Sequence, residues 1–580
     1  MAQSLMHEHL YGDLMAPAQG YHTDFAMGMT YSLGFDALMA AHLTFGMLSD
    51  INEKEAQLPH LLLEAILKNS DKLVIFCNKG SIAVPPTIRK VYSLLEKNIF
   101  EVFNPKNKTA NFHPKMWLIR EVNNDNNKDV LMKLIVSSRN MEYSDNIDCI
   151  TCLTGKVGNA KTVNEKHKIL KSFIEKVVAY SNISREQREK VKALAKEVVR
   201  VEKFDVDKPF EDYDFYPYLF QEDFGLGKVE DNLCGTESII VSPFIDNALL
   251  KRINPNRKDH RSLITRKEYV TADIFNSFDP KGGVFIALDD LASRGMDLHA
   301  KMYLVWNGRD NHYLYLGSAN ATSSAFERNG EFLLGLKFEY GNSKYDQFLK
   351  YFYEEGNKDS KFLRMNEPKE KVSAIIKWDK SELAMKDLMC ADDLKAKVMR
   401  HRNNTFSIVV SSSVKKLNHP VFIAPLQRRD MLKEWKGRAT FDGLSADQLS
   451  EFYIICSKSE YGDHENVIKI ATDDMPNNRD TAIYKSIIKN KHDFVRFLEL
   501  MLSDSPVQCL SNESLFNGKE AGETEKRYAY AQVYEKMLRV SAVNPKQILQ
   551  IEKMLEKFDN ETVPEDFRRI FKQFSNAIKK

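Results

Sequence analysis

The sequence predicts an α/β chain of two similar halves arranged around one pseudo-twofold site, followed by a small β-rich module and a C-terminal helical domain. Three observations predict it. His113-Pro114-Lys115 and His299-Ala300-Lys301 are each followed by an apolar run and then by a serine and an asparagine, Ser138-Arg139-Asn140 and Ser318-Ala319-Asn320. Strand-like apolar runs alternate with helical periodicity around both copies, which lie roughly 185 residues apart. Past about residue 365 the periodicity changes, first to short strands and then to long amphipathic stretches.

Taken in order, 25–32 reads as a strand, 36–48 and 58–68 as helices, and 72–77 as a buried strand. Pro86 suits the first turn of a helix running to Leu95. Strands follow at 99–103, 115–121, 131–136 and 147–153, closing a first half assigned to 1–160. Apolar residues at helical spacing among dense Lys and Glu predict two helices, 163–180 and 185–201, within a connector at 161–230. The second half, 231–365, repeats the order with strands at 238–243, 262–265, 283–288, 299–305, 313–316 and 331–338 and a helix at 248–253. Short strands at 372–378, 405–411, 421–425, 438–441 and 451–456 make a β-rich module at 366–478. Amphipathic stretches at 482–502, 525–540, 545–557 and 564–578 make a helical domain at 479–580, with Pro545 and Pro564 as helix starts.

Composition sets bounds. The chain has 580 residues, 43% hydrophobic and 28% charged, with a formal net charge of +2, so polyanion binding would need local patches. Seven scattered cysteines suit a reducing cytosol. Cys149 and Cys152 form a C-x-x-C without a second ligand pair at zinc-ribbon spacing. The N-terminal stretch reads as neither signal nor transit peptide, and 31–48 makes a poor membrane span, so the expectation is a cytoplasmic protein without a membrane partner. No P-loop, HExxH or EF-hand pattern occurs, and neither a metal nor a cofactor is expected.

On a strand, residues two apart face the same way, so each His and Lys should project together. A buried lysine demands an anionic partner. The Ser-x-Asn falls after the next strand, where α/β sheets open their ligand crevices, and Gly317 would let the backbone approach a phosphate. Two imidazoles, two ammonium groups and two amides are what phosphodiester cleavage through a covalent phosphohistidine requires. Asp148 and Glu331, downstream of the two asparagines, either fix a histidine tautomer or are ordinary strand-edge acids. Trp117 and Tyr303 serve either core packing or stacking on a ligand.

With these motifs in place, the stretch from about residue 20 to 360 resembles the phospholipase D superfamily, with two HKD-type motifs in one chain. The usual aspartate five residues after the lysine is Arg120 in the first copy and Trp306 in the second. Its absence makes the pair similar to the His-Lys-Asn motifs of tyrosyl-DNA phosphodiesterases and related nucleases. The resemblance implies catalytic roles for His113, Lys115, Asn140, His299, Lys301 and Asn320, with His113 as nucleophile and His299 as general acid. Ser138, Asp148, Ser318 and Glu331 would support them.

The activity so implied is metal-independent cleavage of nucleic acid, DNA first. The resemblance extends to bacterial restriction or anti-phage components that work beside a helicase-type ATPase. The C-terminal helices offer a surface for a homodimer. Arg257, Lys258, Arg261, Arg266 and Lys267, within a wider basic stretch, read either as a phosphate track or as a solvated face. Two rival functions stand beside the nuclease: a phospholipase D or phosphatidyltransferase acting on lipids, and a non-catalytic nucleic-acid-binding scaffold.

Overall fold

A computed structural model describes residues 11–45, 59–253 apart from 145, 235 and 236, 260–278, 282–287, 297–307, 311–339, 344–367 apart from 356, 358, 359 and 361, 380–459, 462–489, 491–502, 534–541, 548, 551, 552, 555, 558, 563 and 565–578. Its first sheet is built from β1 (Tyr21–Thr30), β2 (Leu73–Asn78), β3 (Ile99–Val102), β4 (Met116–Asn123), β5 (Val130–Ser137), β6 (Ile150–Val157) and β7 (Val201–Phe204), in the order β3-β2-β1-β4-β5-β6-β7. The second is built from β8 (Phe210–Leu219), β9 (Glu222–Asp223), β10 (Glu237–Val241), β11 (Arg261–Thr265), β12 (Gly283–Ala287), β13 (Met302–Asn307), β14 (Asn311–Gly317), β15 (Gly330–Phe338) and β16 (Phe362–Arg364). Its order is β16-β12-β11-β10-β13-β14-β15-β8-β9.

The six strands β1 to β6 and the six strands β10 to β15 follow the same order with the same directions. In each set the first three strands pair in parallel and the last three run antiparallel beside the first. Parallel strands need cover on both faces, and β2, Leu-Val-Ile-Phe-Cys-Asn, is buried along its whole length. One apolar cluster is shared by the two sheets. It joins Phe112, Met116 and Leu118 of the first half to Leu298, Ala300, Leu304 and Phe332 of the second.

Several sequence expectations need correction. The stretch 161–230 holds the two expected helices, His167–Ala179 and Arg185–Val198, but then supplies β7 to the first sheet and β8 and β9 to the second. The aromatic residues Tyr213, Phe215, Tyr216 and Tyr218, buried on the two faces of the strand, carry β8. No helix starts at Pro86; a 3-10 helix, Lys90–Lys97, begins four residues later. Pro86 disfavours helical geometry at Pro85, so the prolines end an extended segment. Trp117 and Tyr303 are buried in the core rather than placed to stack on a ligand.

The last third forms two four-stranded sheets, β21-β18-β17-β24 and β20-β19-β22-β23. The strands are β17 (Lys395–Arg400), β18 (Phe406–Ser411), β19 (Phe422–Pro425), β20 (Lys433–Glu434), β21 (Arg438–Leu444), β22 (Phe452–Ser459), β23 (Gly462–Lys469) and β24 (Thr472–Asp473). Strands β17 and β23 carry few apolar residues: β17 reads Lys-Ala-Lys-Val-Met-Arg, and β23 opens on the polar run Asp463-His464-Glu465-Asn466, so neither shows a strand signal in the sequence. The strand expected at 372–378 and much of the expected helices 525–540 and 545–557 lie outside the described residues. The stretch expected as one helix at 482–502 is two, Arg479–Ile487 and Lys491–Met501.

These late segments are not separate from the first half. Leu426, Phe452, Ile454 and Val467, with Ile483, Phe494, Phe567 and Phe571, share one apolar cluster with Phe35, Leu61 and Tyr92. The Val467 amide donates to the Ile82 carbonyl at 2.8 Å, and Lys469 Nζ donates to the carbonyls of Glu96 (2.6 Å) and Ile99 (3.1 Å). Glu96, 5% exposed, accepts from Ser450 Oγ and the Glu451 amide, both at 2.7 Å, and from the Arg479 guanidinium. Removing one partner of such a pair strands a buried charge. Arg479→Ala is therefore expected to lower the unfolding free energy by about 3 kcal/mol in urea titrations, whereas Glu96→Gln with Arg479→Met recovers part of it.

Candidate functional site

Neither His-x-Lys lies on its strand: β4 starts at Met116 and β13 at Met302, just after each lysine. The histidine segments instead run beside the opposite half. Phe112 bridges Gly330, and the His113 amide donates to the Gly330 carbonyl at 2.8 Å. Leu298 bridges Ile147, and the His299 amide donates to the Ile147 carbonyl at 2.9 Å.

That crossing selects the carboxylates. His113 Nδ1 lies 2.9 Å from Glu331 Oε2, and His299 Nδ1 lies 2.8 Å from Asp148 Oδ1, so each imidazole is held by the other half. Of the two readings left open for Asp148 and Glu331, contact with a histidine is the one observed. Ser318 Oγ donates to Glu331 Oε2 and accepts from the Phe332 amide at 2.9 Å. Ser138 Oγ donates to Asp148 Oδ1 at 2.6 Å and accepts from the Cys149 amide at 2.9 Å. The serines thus orient the acids.

Lys115 and Lys301 are 1% and 0% exposed, and each ammonium donates to the carbonyl of its own histidine, at 3.1 Å and 2.5 Å. Burial holds Lys115 well below the usual lysine range, helped by the nearby Lys301, and brings Lys301 down to about 8. The Oδ1 atoms of Asn140 and Asn320 are both buried with no hydrogen-bond partner among the described residues, a matched pair that calls for an explanation.

The two histidines differ electrically. Burial lowers His113 well below 6.5, and Lys115, Lys301 and His299 all push the same way. Burial also lowers His299, but Asp148 opposes it. Burial lifts Glu331 to about 8 against the pull of Lys115, whereas Asp148 is held low because its contacts to His299, Ser138 and Lys301 outweigh burial. These mutual influences put both histidines and both lysines around one centre.

Three features went unnoticed in the sequence. Thr30 and Ser242, at the ends of β1 and β10, accept from the amides of Met141 (3.0 Å) and Ala321 (2.9 Å), which fixes the turn after each asparagine. Tyr31 has its ring centroid 5.2 Å from that of His113 and 5.8 Å from Lys115 Nζ. A hydroxyl at the end of the first strand of each half was the available signal for the first two. Tyr31 had none.

Two other expectations change. Gly317 has φ of 150°, and a Cβ there would meet the Phe332 carbonyl oxygen at 2.3 Å, so its freedom serves the close approach to β15. Arg261 is 1% exposed and donates to the Ile253 carbonyl at 2.7 Å, which removes it from any surface track. Arg257 and Lys258 lie outside the described residues. Arg266 stands near the centre: it donates to the Leu298 carbonyl at 3.1 Å, pairs with Asp297 at 2.7 Å and covers the Phe244 ring at 4.9 Å. Lys267 is partly exposed. Cys149 and Cys152 are free and pack on opposite faces of the first sheet, as a three-residue offset near a strand dictates.

Among the described residues no cluster of three His, Cys, Asp or Glu could hold a metal ion, and no helix is long and apolar enough to cross a membrane. No family model and no curated protein matches the chain. Among solved structures it is similar to phosphatidylserine synthase of Haemophilus influenzae Rd KW20, at 12% identity over 58% of this chain and 81% of that one, with a TM-score of 0.34. It is also similar to yeast tyrosyl-DNA phosphodiesterase, at 11% identity over 57% and 85% of the two chains, also with a TM-score of 0.34. Both are weak, low-identity matches.

Gly317→Ala is expected to cost well over 1 kcal/mol, because both φ and the Phe332 carbonyl oppose a side chain. Ser137→Ala at the matching position of the first half should cost far less, and thermal melts of the two variants compare them directly.

Proposed function

We propose that the chain is a phosphodiesterase of the phospholipase D type, cleaving nucleic acid through a covalent phosphohistidine at one site shared by two duplicated halves. The observation that carries this reading is the crossed pairing of His113 with Glu331 and of His299 with Asp148. Holding Nδ1 leaves Nε2 of each ring for chemistry. Lys115, Lys301, Asn140 and Asn320 then hold the non-bridging oxygens as charge moves onto them.

The electrical asymmetry supports the division of labour. A nucleophile must be unprotonated, which suits His113; an acid must carry a proton, which the ionised Asp148 favours at His299. His113 Nε2 bonds to phosphorus as the phosphorus–oxygen bond to the leaving group breaks, and the leaving oxygen takes the His299 proton. Water next attacks phosphorus and gives its proton to His299, while the nitrogen–phosphorus electron pair returns to His113.

DNA is the first substrate proposed. A helicase-type ATPase partner, defence against phage, a cytoplasmic location and a homodimer through the late helices belong to the same reading and rest on the sequence resemblance. Purified protein is expected to cleave plasmid or single-stranded DNA in excess EDTA. His113→Ala and His299→Ala should each lose roughly 10²–10⁴-fold in rate. Failure to cleave either DNA anywhere from about pH 5 to 9, with head-group release from phospholipid vesicles instead, would move the assignment to lipid.

The pH profile follows from the same asymmetry. When the first step limits, activity needs His299 protonated and His113 unprotonated. The alkaline limb of kcat/KM therefore lies below 6.5, where burial places His299, and the acid limb lies lower still, at His113. Asp148 opposes the fall at His299, so Asp148→Asn should move the alkaline limb to lower pH. A profile fitted across both limbs checks the direction.

A further inference from the structure

The late β sheets offer a surface that the catalytic centre does not use. The sheet β20-β19-β22-β23 is engaged on both sides. Ile423, Tyr453, Ile455 and Ile468 point into the space between the sheets, while Phe452, Ile454 and Val467 pack on the first half. The other sheet turns one face inward through Ala396, Val398, Ile408, Val410, Ala439 and Phe441, which leaves its other face outward.

The register arranges that outward face in rows. Lys395 pairs with Ser411 and Ser411 with Arg438, while Lys397 pairs with Val409 and Val409 with Thr440. Neighbouring strands lie about 4.8 Å apart and alternate residues along a strand about 6.6 Å apart. Lys395, Lys397 and Arg438 therefore occupy one corner with only small side chains between them. Lys415 joins them: it packs over Gly437, its Cγ 2.8 Å from where a Cβ would stand, and the Ser412 amide donates to the Gly437 carbonyl at 3.1 Å. Trp435 Nε1 donates to the Val414 carbonyl at 2.6 Å and pins this loop to the sheet.

Lys395, Lys397, Lys415, Lys416 and Arg438 are all exposed. Three carboxylates stand close, and Asp473, exposed, is opposite Lys397 in the register of β17 with β24. Asp474 pairs with Lys397 at 3.2 Å, both side chains more than half exposed. Asp393 is engaged with Ser412 Oγ (2.7 Å) and the Ser413 amide (2.6 Å). Among the described residues no carboxylate ion pair reaches Lys395, Lys415, Lys416 or Arg438. Cations held on a sheet and a pinned loop, with only small side chains between them, match a row of phosphates.

We infer that the corner formed by Lys395, Lys397, Lys415, Lys416 and Arg438 is a second nucleic-acid contact, which grips the DNA backbone away from the catalytic centre. The inference rests on the nuclease reading for its choice of polyanion. The late module then acts as a substrate grip, fixed to the first half by one sheet and holding DNA with the other. A DNA chain bound there is tethered to the enzyme, and its effective concentration at the centre rises.

The test uses the full chain with Lys395→Gln, Lys415→Gln and Arg438→Gln combined. A control carries the same charge change on exposed helix and loop positions of the connector, Lys161→Gln, Lys168→Gln and Lys196→Gln. Two quantities are measured: binding of a labelled duplex between about 50 and 200 mM salt, and hydrolysis of bis-p-nitrophenyl phosphate, a substrate too small to reach the corner. The corner variant is expected to bind DNA at least about tenfold more weakly at the low-salt end, with a salt slope smaller by about 2 to 3. Its hydrolysis of the small ester should be unchanged, and the control should bind as the parent does. An unchanged slope, or an equal loss in the control, would overturn the inference. Absence of small-ester hydrolysis in the parent would count against the nuclease reading instead, and the binding comparison would still decide the corner.

Discussion

The crossing of the two histidine segments is the constraint from which the rest of the centre follows. Phe112 bridges Gly330 and Leu298 bridges Ile147, so neither imidazole can be positioned within its own half. Glu331 and Asp148 reach across because each begins, or directly precedes, a strand that the opposite segment lies against. Each serine then locks its acid to the strand that bears it. The shared apolar cluster between the sheets keeps these small contacts in register. Disturbing the packing of Phe112 or Leu298 would disturb both halves of the centre.

The second consequence is electrostatic. Two ammonium groups, two imidazoles and two carboxyls are brought out of water together, and burial is the largest influence on all six. Among the described residues the ammonium groups of Lys115 and Lys301 have only the carbonyls of their histidines as hydrogen-bond partners, which leaves their charge for an anion. The halves are therefore similar in geometry and unequal in charge state: the acid beside His299 stays ionised, while the acid beside His113 is driven up to about 8. A centre whose halves were electrically identical would offer no reason for one ring to attack and the other to donate.

Much of this was legible in the sequence, and the limits have physical causes. The duplicated His-x-Lys and Ser-x-Asn announced two similar halves, because the same four side chains recur in the same order. The strands β2, β5, β10 and β15 could be read because each carries at least three consecutive apolar residues, such as Leu134-Ile135-Val136 in β5 and Phe332-Leu333-Leu334 in β15. The crossing could not be read. Which acid reaches which histidine depends on pairing between segments more than 150 residues apart, and a single sequence carries no register across that distance. Strand β17 was hidden by its lysines and arginine, and β23 by the polar run Asp463-His464-Glu465-Asn466. The late segments were read as independent because helical and strand periodicity say nothing about which core an apolar face joins. In the fold, Phe452 and Phe494 share a core with Phe35.

The central claim is that His113 carries the phosphoryl group and His299 manages the protons. The most direct measurement is to find the adduct itself. His299→Ala would be mixed with a thymidine 5′-p-nitrophenyl phosphate, whose leaving group departs without a proton, then quenched and mapped by peptide mass spectrometry. Attack should proceed while hydrolysis of the intermediate stalls for want of a base, and the nucleotidyl mass should appear on the peptide bearing His113. A nucleotidyl mass on any other residue, or rapid turnover by His299→Ala with no adduct at all, would contradict the account.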